Sequence, residues 1–364
     1  MSTDPEDLHE GRTPMEPRTV DEAVQLLTAA WTRGARTAVD ESRPLNTAAE
    51  EGHVVAVSLR RLDRITRVDR ENSAVVVEAG VPVQAIRAAT DSIGLWCPAL
   101  RWLPGSTPIG AAVVGGHGRR SRRYGAVADY LLGTRFVSPA VGLVRHGGMA
   151  IKNATGYNLT AAIAGSRGGL GVLLEVTVRL VPKPARRGVR RICFATENVV
   201  WGAARGLADP SSEAAAVEVF AELTPTRGPA YLLVEAEDVV ATTVERRLGS
   251  LVDRATSPGG SLDTSIDWLP LTPDGAATVV RFGVDPSTLA ETGTRLVAEA
   301  RRRDLRGFVL AEASGGAVEI ALSSSCASQI DEVLRAAGIP APDPTTTRLR
   351  AILKSAFDPA DLVI

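Results

Sequence analysis

Lysine is almost missing from this sequence: Lys152, Lys183 and Lys354 are the only ones among 41 basic residues. Alongside abundant Ala, Val and Gly, that bias reads as a GC-rich coding signature rather than an adaptation to phosphate. Acidic side chains number 42, leaving a formal net charge of -1, so no overall field draws nucleic acid or an anionic membrane. Aromatics make up only 4%, too few to stack the bases of single-stranded nucleic acid. A nucleic-acid partner is therefore not expected. Cysteine is scarce and scattered, at Cys97, Cys193 and Cys326. With no C-x-x-C pair, the chain offers no iron–sulfur or zinc ligand set and no disulfide framework. The four histidines, His9, His53, His117 and His146, lack metal-ligand spacing, so no metal is expected. The N-terminal Met1–Asp7 is acidic without an apolar core, and no apolar run approaches the length of a membrane span. The expectation is a cytoplasmic protein without signal peptide or transmembrane segment.

What remains is ordinary globular composition, 45% hydrophobic and 23% charged over 364 residues, enough for two domains. Residues 1–15 are polar and read as a mobile tail. Thr19 and Glu22 form a capping box ahead of a helix through Trp31, with Gly34 as its stop. Short β-rich runs follow at Val54–Val57 and Ala74–Val77, the latter preceded by a turn at Asp69–Asn72. Pro82 opens a helix closed by Gly94. Strands are expected at Leu131–Val137, Leu143–His146 and Gly171–Leu180, with a short helix at Asn158–Ala164. The rhythm then changes: strands at Glu213–Leu223 and Tyr231–Glu235 precede a helix from Val239 to Leu251. A strand at Thr278–Gly283, a helix at Ser287–Arg302, a hairpin across Gly315-Gly316 and a helix at Ser325–Ala337 complete the chain. That order implies an antiparallel sheet with helices on one face, an α+β arrangement.

Three glycine-rich motifs carry the chemistry. The first runs P-G-S-T-P-I-G-A-A-V-V-G-G-H-G from Pro104 to Gly118, the second G-G-M-A-I-K-N-A-T-G-Y-N-L from Gly147 to Leu159, and the third G-S-R-G-G-L-G-V-L-L-E-V from Gly165 to Val176. Small residues at this density admit a flat or anionic ligand to the backbone amides, and equally make tight turns in a small β domain. Neither a Walker loop nor a G-x-G-x-x-G dinucleotide turn is present.

Taken in order with V-E-A-G-V-P at Val77–Pro82 and R-R-Y-G-A-V-A-D-Y-L-L-G at Arg122–Gly133, the motifs resemble the FAD-binding subunit of glycolate oxidase. This is the p-cresol-methylhydroxylase-type FAD-binding family, related to D-lactate dehydrogenases. The L-K-S-A-F-D-P stretch from Leu353 extends the likeness to the C-terminus. The resemblance implies an α+β chain: an FAD-binding domain of two α/β subdomains over 16–185, then an α+β cap over 186–364. It implies non-covalent FAD, with pyrophosphate and ribityl contacts at Pro104, Gly105, Ser106, Thr107, Ile109, Gly110 and Ala111. The flavin ring would lie near Gly115 and Gly118, and the adenosine near Gly165, Gly168, Gly171 and Val172. It further implies oxidation of a small 2-hydroxy acid, with a D-lactate-dehydrogenase-like flavoprotein and an iron–sulfur subunit as partners.

The sequence departs from that pattern in one region. Where the family carries its first glycine-rich nucleotide loop, this chain reads R-T-A-V-D-E-S-R-P from Arg36 to Pro44. Asp40 and Glu41 place two carboxylates where a pyrophosphate would lie, a repulsion of roughly a kcal/mol or more each at close range. Arg36 or Arg43 could offset it, but Pro44 has no donor. Ala111 stands where a second glycine is usual. Two readings follow: an FAD-binding oxidoreductase subunit, or a structural subunit of the same fold whose FAD is weakly held or lost. His117 reads as a turn histidine or a group near the flavin. Arg119, Arg120, Arg122 and Arg123 suit a substrate carboxylate, a flavin phosphate or a solvated loop. Asp129 reads as a structural acceptor, and Lys152, Asn153 and Tyr157 as a stabilising network or cofactor contacts. No acid–base pair stands out, so catalytic residues stay unassigned.

Overall fold

The computed structural model describes residues 14–39, 54–101, 103, 105–115, 124–149, 158–194, 197–207, 214–223, 230–238, 241–256, 261–263, 276–313, 316–323, 326, 329–339, 354–358, 360 and 363. Two units divide the chain. Unit 1 takes residues 1–118, 126–183 and 343–364; unit 2 takes 119–125 and 184–342.

Unit 1 opens with helix α1 (Val20–Thr32), whose cap is the expected one: Thr19 Oγ1 accepts from the Glu22 amide at 3.1 Å. Its apolar stripe of Ala23, Leu27 and Trp31 is buried. Strands β1 (Arg36–Val39) and β2 (Val54–Val57) pair in parallel. β3 (Ile65–Asp69) and β4 (Ala74–Glu78) form a hairpin at the expected turn, where Asp69 accepts from the Asn72 amide at 2.9 Å. After helix α2 (Val83–Asp91), β5 (Leu95–Trp96) leads to helix α3 (Ile109–Val114) inside the first glycine motif. β6 (Leu131–Ser138) and β7 (Gly142–Gly147) follow, then α4 (Leu159–Ile163), β8 (Val172–Arg179) and β9 (Val181–Pro182). The main sheet runs β3-β4-β8-β6-β7, antiparallel throughout. One apolar cluster joins Leu27, Leu59, Leu62, Val137 and Leu174.

Glycine in the V-E-A-G-V-P motif has a steric cause. A Cβ on Gly80 would come 2.2 Å from the Leu59 carbonyl oxygen, so the chain can cross beneath Leu59 only without a side chain. Glu78 of the same motif is buried and accepts from the Arg64 amide at 3.0 Å and its guanidinium at 2.8 Å.

Residues near the C-terminus belong with unit 1, whereas the sequence reading assigned all of 186–364 to the second domain. Val363 is 2% exposed within the Leu27 cluster and forms a parallel bridge to Thr37. Its amide donates to Asp358 Oδ2 at 3.0 Å, and the Ser138 hydroxyl donates to the Phe357 carbonyl. Apolar burial and backbone pairing, rather than sequence distance, set this membership.

Unit 2 is built on β10 (Arg186–Phe194), β11 (Ala216–Leu223), β12 (Ala230–Asp238), β13 (Ser261–Asp263), β14 (Ala276–Gly283), β15 (Gly307–Glu312) and β16 (Ala317–Ser323). They form one antiparallel sheet in the order β13-β10-β12-β11-β15-β16-β14. Helices α5 (Glu197–Leu207), α6 (Ala241–Thr256), α7 (Leu289–Arg302) and α8 (Ile330–Ala336) complete the unit. Residues from all four pack with one sheet face in a single core, including Trp201, Leu248, Leu296 and Val333. Helices on one face of an antiparallel sheet were expected; β10 and α5 were not, because arginines at 186, 187, 190 and 191 hide the strand pattern of β10.

Helices α5 and α7 meet where Gly293 leaves room for the Trp201 indole; a Cβ there would lie 2.5 Å from the ring. Gly293→Ala gains about 1 kcal/mol of helix propensity but overpacks a rigid buried ring at about 1–3 kcal/mol. The expected net is destabilisation by about 1 kcal/mol, a fall in Tm of about 2–4 °C by calorimetry. A raised Tm would show that the ring can yield.

Candidate functional site

The first and third glycine motifs are tied to opposite ends of α3. Ahead of it, Arg87 Nη2 donates to the carbonyls of Leu100, Arg101 (2.6 Å) and Leu103 (2.8 Å), fixing the chain that enters the first motif. The opening amides of α2 lack helical acceptors. Val83 therefore donates to the Thr107 carbonyl and Gln84 to the Gly105 carbonyl, both at 2.9 Å. The carbonyls of that turn are thus committed to α2. The amides of Gly105, Ser106, Thr107 and Ala111 have no acceptor among the described residues.

Other predicted donors are spent inside the fold. Ile109 donates to Val81 at 2.9 Å and Gly110 to Ala79 at 2.8 Å, and the Ile109 side chain lies in the core. Gly115 donates to Ala111. At the other end of α3, Gly165 donates to the Val113 carbonyl and Arg167 to Val114, both at 2.9 Å. The loop is sharply wound, with φ of 75° at Gly165, 52° at Arg167, 82° at Gly168 and 129° at Gly171. A Cβ at Gly171 would come 2.2 Å from the Val137 oxygen, so this glycine serves the approach of the loop to β6. Its amide donates to Gly168, and Val172 is buried in β8 opposite Val137. The Gly168 amide has no acceptor among the described residues.

Ser166 was not singled out by the sequence. Its Oγ is cut off from solvent and has no hydrogen-bond partner among the described residues. A buried hydroxyl left unmade costs about 1–3 kcal/mol, and no sequence signal separates this serine from an ordinary turn residue. Five uncommitted amides and one orphaned hydroxyl, around the two ends of α3, fit the oxygens of an extended dinucleotide cofactor. A six-residue helix sets the two ends about 9 Å apart.

Among the remaining candidates, Asp129 Oδ2 accepts from the Ala126 amide at 2.7 Å, the structural role read from sequence. Tyr124 donates its hydroxyl to Glu237 Oε2 at 2.6 Å within unit 2. Burial pushes the Cys97 thiol up to about 12 and the Tyr130 hydroxyl up to about 12, so both stay protonated near neutrality and offer no base. No metal-ligand cluster occurs among the described residues, and no helix among them is long and apolar enough to cross a membrane. Pro104, His117, Gly118, Arg119, Arg120, Arg122, Arg123, Lys152, Asn153, Tyr157, Asp40, Glu41, Arg43 and Pro44 lie outside the described residues.

Residues 14–148 match the FAD binding domain family model. Glycolate oxidase subunit GlcD of Bacillus subtilis is 29% identical over 221 residues, 55% of this chain and 45% of that protein. An uncharacterized FAD-linked oxidoreductase of Mycobacterium tuberculosis is 34% identical over 46% of this chain and 37% of its own length. Glycolate oxidase subunit GlcE of Escherichia coli is 34% identical over 33% of this chain and 35% of its length. The match thus spans less than half of these curated relatives. Among solved structures, alkyldihydroxyacetonephosphate synthase superposes with a TM-score of 0.67 at 13% identity, covering 95% of this chain and 74% of that one. Residues 14–148 are thus similar to the FAD binding domain family, in a chain whose mixed α+β fold is that of alkyldihydroxyacetonephosphate synthase.

Proposed function

We propose that the chain is the FAD-binding subunit of a flavin-dependent oxidoreductase acting on a small 2-hydroxy acid such as glycolate or D-lactate. The observation that carries this reading is the set of uncommitted amides at Gly105, Ser106, Thr107 and Ala111 within the segment that matches the FAD family. Those amides would hold cofactor oxygens by hydrogen bonds, and the Ser166 hydroxyl and Gly168 amide would take others beyond the far end of α3. Backbone donors held by the fold need no reorganisation when an anion arrives. FAD, when bound, supplies hydride acceptance. Ile109, Gly110 and Gly171 support the site by packing and backbone pairing rather than by donating to it. The cysteines provide no iron–sulfur ligand set in this chain, so electrons would leave through partner subunits, a D-lactate-dehydrogenase-like flavoprotein and an iron–sulfur protein. The cytoplasm is the proposed compartment.

A second reading, a structural subunit with FAD weakly held or lost, is favoured by one feature: Asp40 and Glu41 stand where the family has a glycine-rich nucleotide loop. The two readings separate on purification of the full chain with excess FAD. Stoichiometric flavin absorbance, bleached by glycolate or D-lactate once partner subunits are present, is the expected result. A colourless protein that turns yellow when Asp40 and Glu41 are both changed to Gly would replace the first reading with the second.

Ser166→Ala tests the far end of the site. Removing a buried hydroxyl that lacks a partner leaves the apoprotein's Tm unchanged or slightly raised. Loss of one hydrogen bond of about 1 kcal/mol weakens FAD binding by about fivefold in a flavin titration. Unchanged affinity would take Ser166 out of the site.

A further inference from the structure

Of the three lysines in the chain, Lys354 lies at the third glycine motif. Its aliphatic stem covers Gly169, where a Cβ would stand 4.0 Å from the lysine Cβ and Cδ. Gly169 closes the turn at the far end of the candidate site: its amide donates to the Ser166 carbonyl at 3.0 Å. That turn carries the Ser166 hydroxyl and the Gly168 amide, neither with a partner among the described residues. The segment that follows Lys354 is fastened to the same corner of unit 1. The Phe357 carbonyl accepts from the Ser138 hydroxyl and, at 3.1 Å, from the Ala140 amide. Its ring stands 6.1 Å from that of Phe136, and Gly171 meets β6 between the two contacts, at the Val137 carbonyl.

The ammonium of Lys354 works away from the turn. Nζ donates to the Val363 carbonyl at 3.1 Å and stands 3.9 Å from Asp358 Oδ2. That carboxylate oxygen accepts from the Val363 amide at 3.0 Å, and the Asp358 side chain is 0% exposed. Both backbone polar groups of Val363 are thus held by one lysine–aspartate pair. Val363 in turn bridges in parallel to Thr37 on β1, whose Oγ1 accepts from the Trp31 indole at 3.0 Å, and packs in the apolar cluster with Leu27 and Trp31. One side chain therefore touches the glycine loop with its stem and, through Val363, the rigid core with its head.

We infer that Lys354 is a positioning residue for the cofactor: it ties the loop of Gly165, Arg167, Gly168 and Gly171 to β1, so that the Ser166 hydroxyl and Gly168 amide are aimed before a ligand arrives. The inference rests on the FAD reading above and gives Lys354 no contact with the cofactor. The loop needs such backing because four of its residues take positive φ, among them the non-glycine Arg167, a conformation kept only when its surroundings impose it. A binding arrangement populated only a tenth of the time binds about tenfold more weakly than one fully populated.

The test uses the full chain and two readouts: FAD affinity by flavin titration, and amide hydrogen exchange of the FAD-free protein by mass spectrometry. Lys354→Met is expected to weaken FAD binding by about tenfold and to speed exchange at residues 165–171 and 36–39 together. Lys354→Arg, which keeps a cationic donor, should recover most of both effects. Gly293→Ala, destabilising in unit 2, should leave FAD affinity and exchange at these two segments unchanged. If Lys354→Met does not fold, Ser138→Ala, which removes one donor to the Phe357 carbonyl, is read in the same way. Faster exchange at one segment alone, or coupled exchange with unchanged FAD affinity, would overturn the inference. Weaker FAD binding with unchanged exchange would overturn it too, by making Lys354 a direct ligand. A wild-type chain that takes up no FAD would instead sink the reading on which this rests, while the exchange data, which need no flavin, still decide whether Lys354 couples the loop to β1.

Discussion

The candidate site depends on how the backbone amides around α3 are spent. A buried amide must find an acceptor, and the fold supplies one to Ile109 and Gly110 from Val81 and Ala79. Those bonds hold the start of α3 against the chain leaving β4, just as Gly165 and Arg167 hold the following loop against its end. With these donors committed, the amides at Gly105, Ser106, Thr107 and Ala111 are what the turn has left to offer. The carbonyls of the same turn are drawn into the first turn of α2. Helix capping and ligand presentation are thus one arrangement: α2 takes the acceptors and leaves the donors.

Unit 2 solves a different problem with the same economy of faces. Its helices cover one side of the sheet with an apolar core built around Trp201, Leu248 and Leu296. The opposite side carries aromatic and acidic side chains in adjoining patches. Carboxylates this deeply buried are costly unless paired, and here Arg187 stands 3.4 Å from Glu235 while the Tyr124 hydroxyl donates to Glu237.

Much of the fold was legible because local patterns and tertiary packing agree. Thr19 and Glu22 announced the start of α1, Gly34 and Gly94 marked stops with positive φ, and Gly315-Gly316 announced the hairpin of β15 and β16. The sequence missed α3 because its Ile-Gly-Ala-Ala-Val-Val run is too short and too glycine-flanked for helical periodicity to register. It missed β10 because four arginines interrupt an alternation that the sheet completes by exposing or pairing them. In the site, the motifs named the right neighbourhood but could not distinguish free amides from committed ones.

By itself, the sequence determined much of the order of elements and the glycine positions that admit close backbone approach. Those follow from local sterics and residue chemistry, which need no partner from elsewhere in the chain. Only the tertiary structure decided which glycines serve packing, as Gly80 and Gly171 do, and that Ser166 is left without a partner among the described residues. It alone returned Val363 to the core of unit 1. These outcomes turn on which carbonyl, side chain or strand arrives from a distant part of the chain, and a hydrogen-bond donor is free or spent only once that arrival is known.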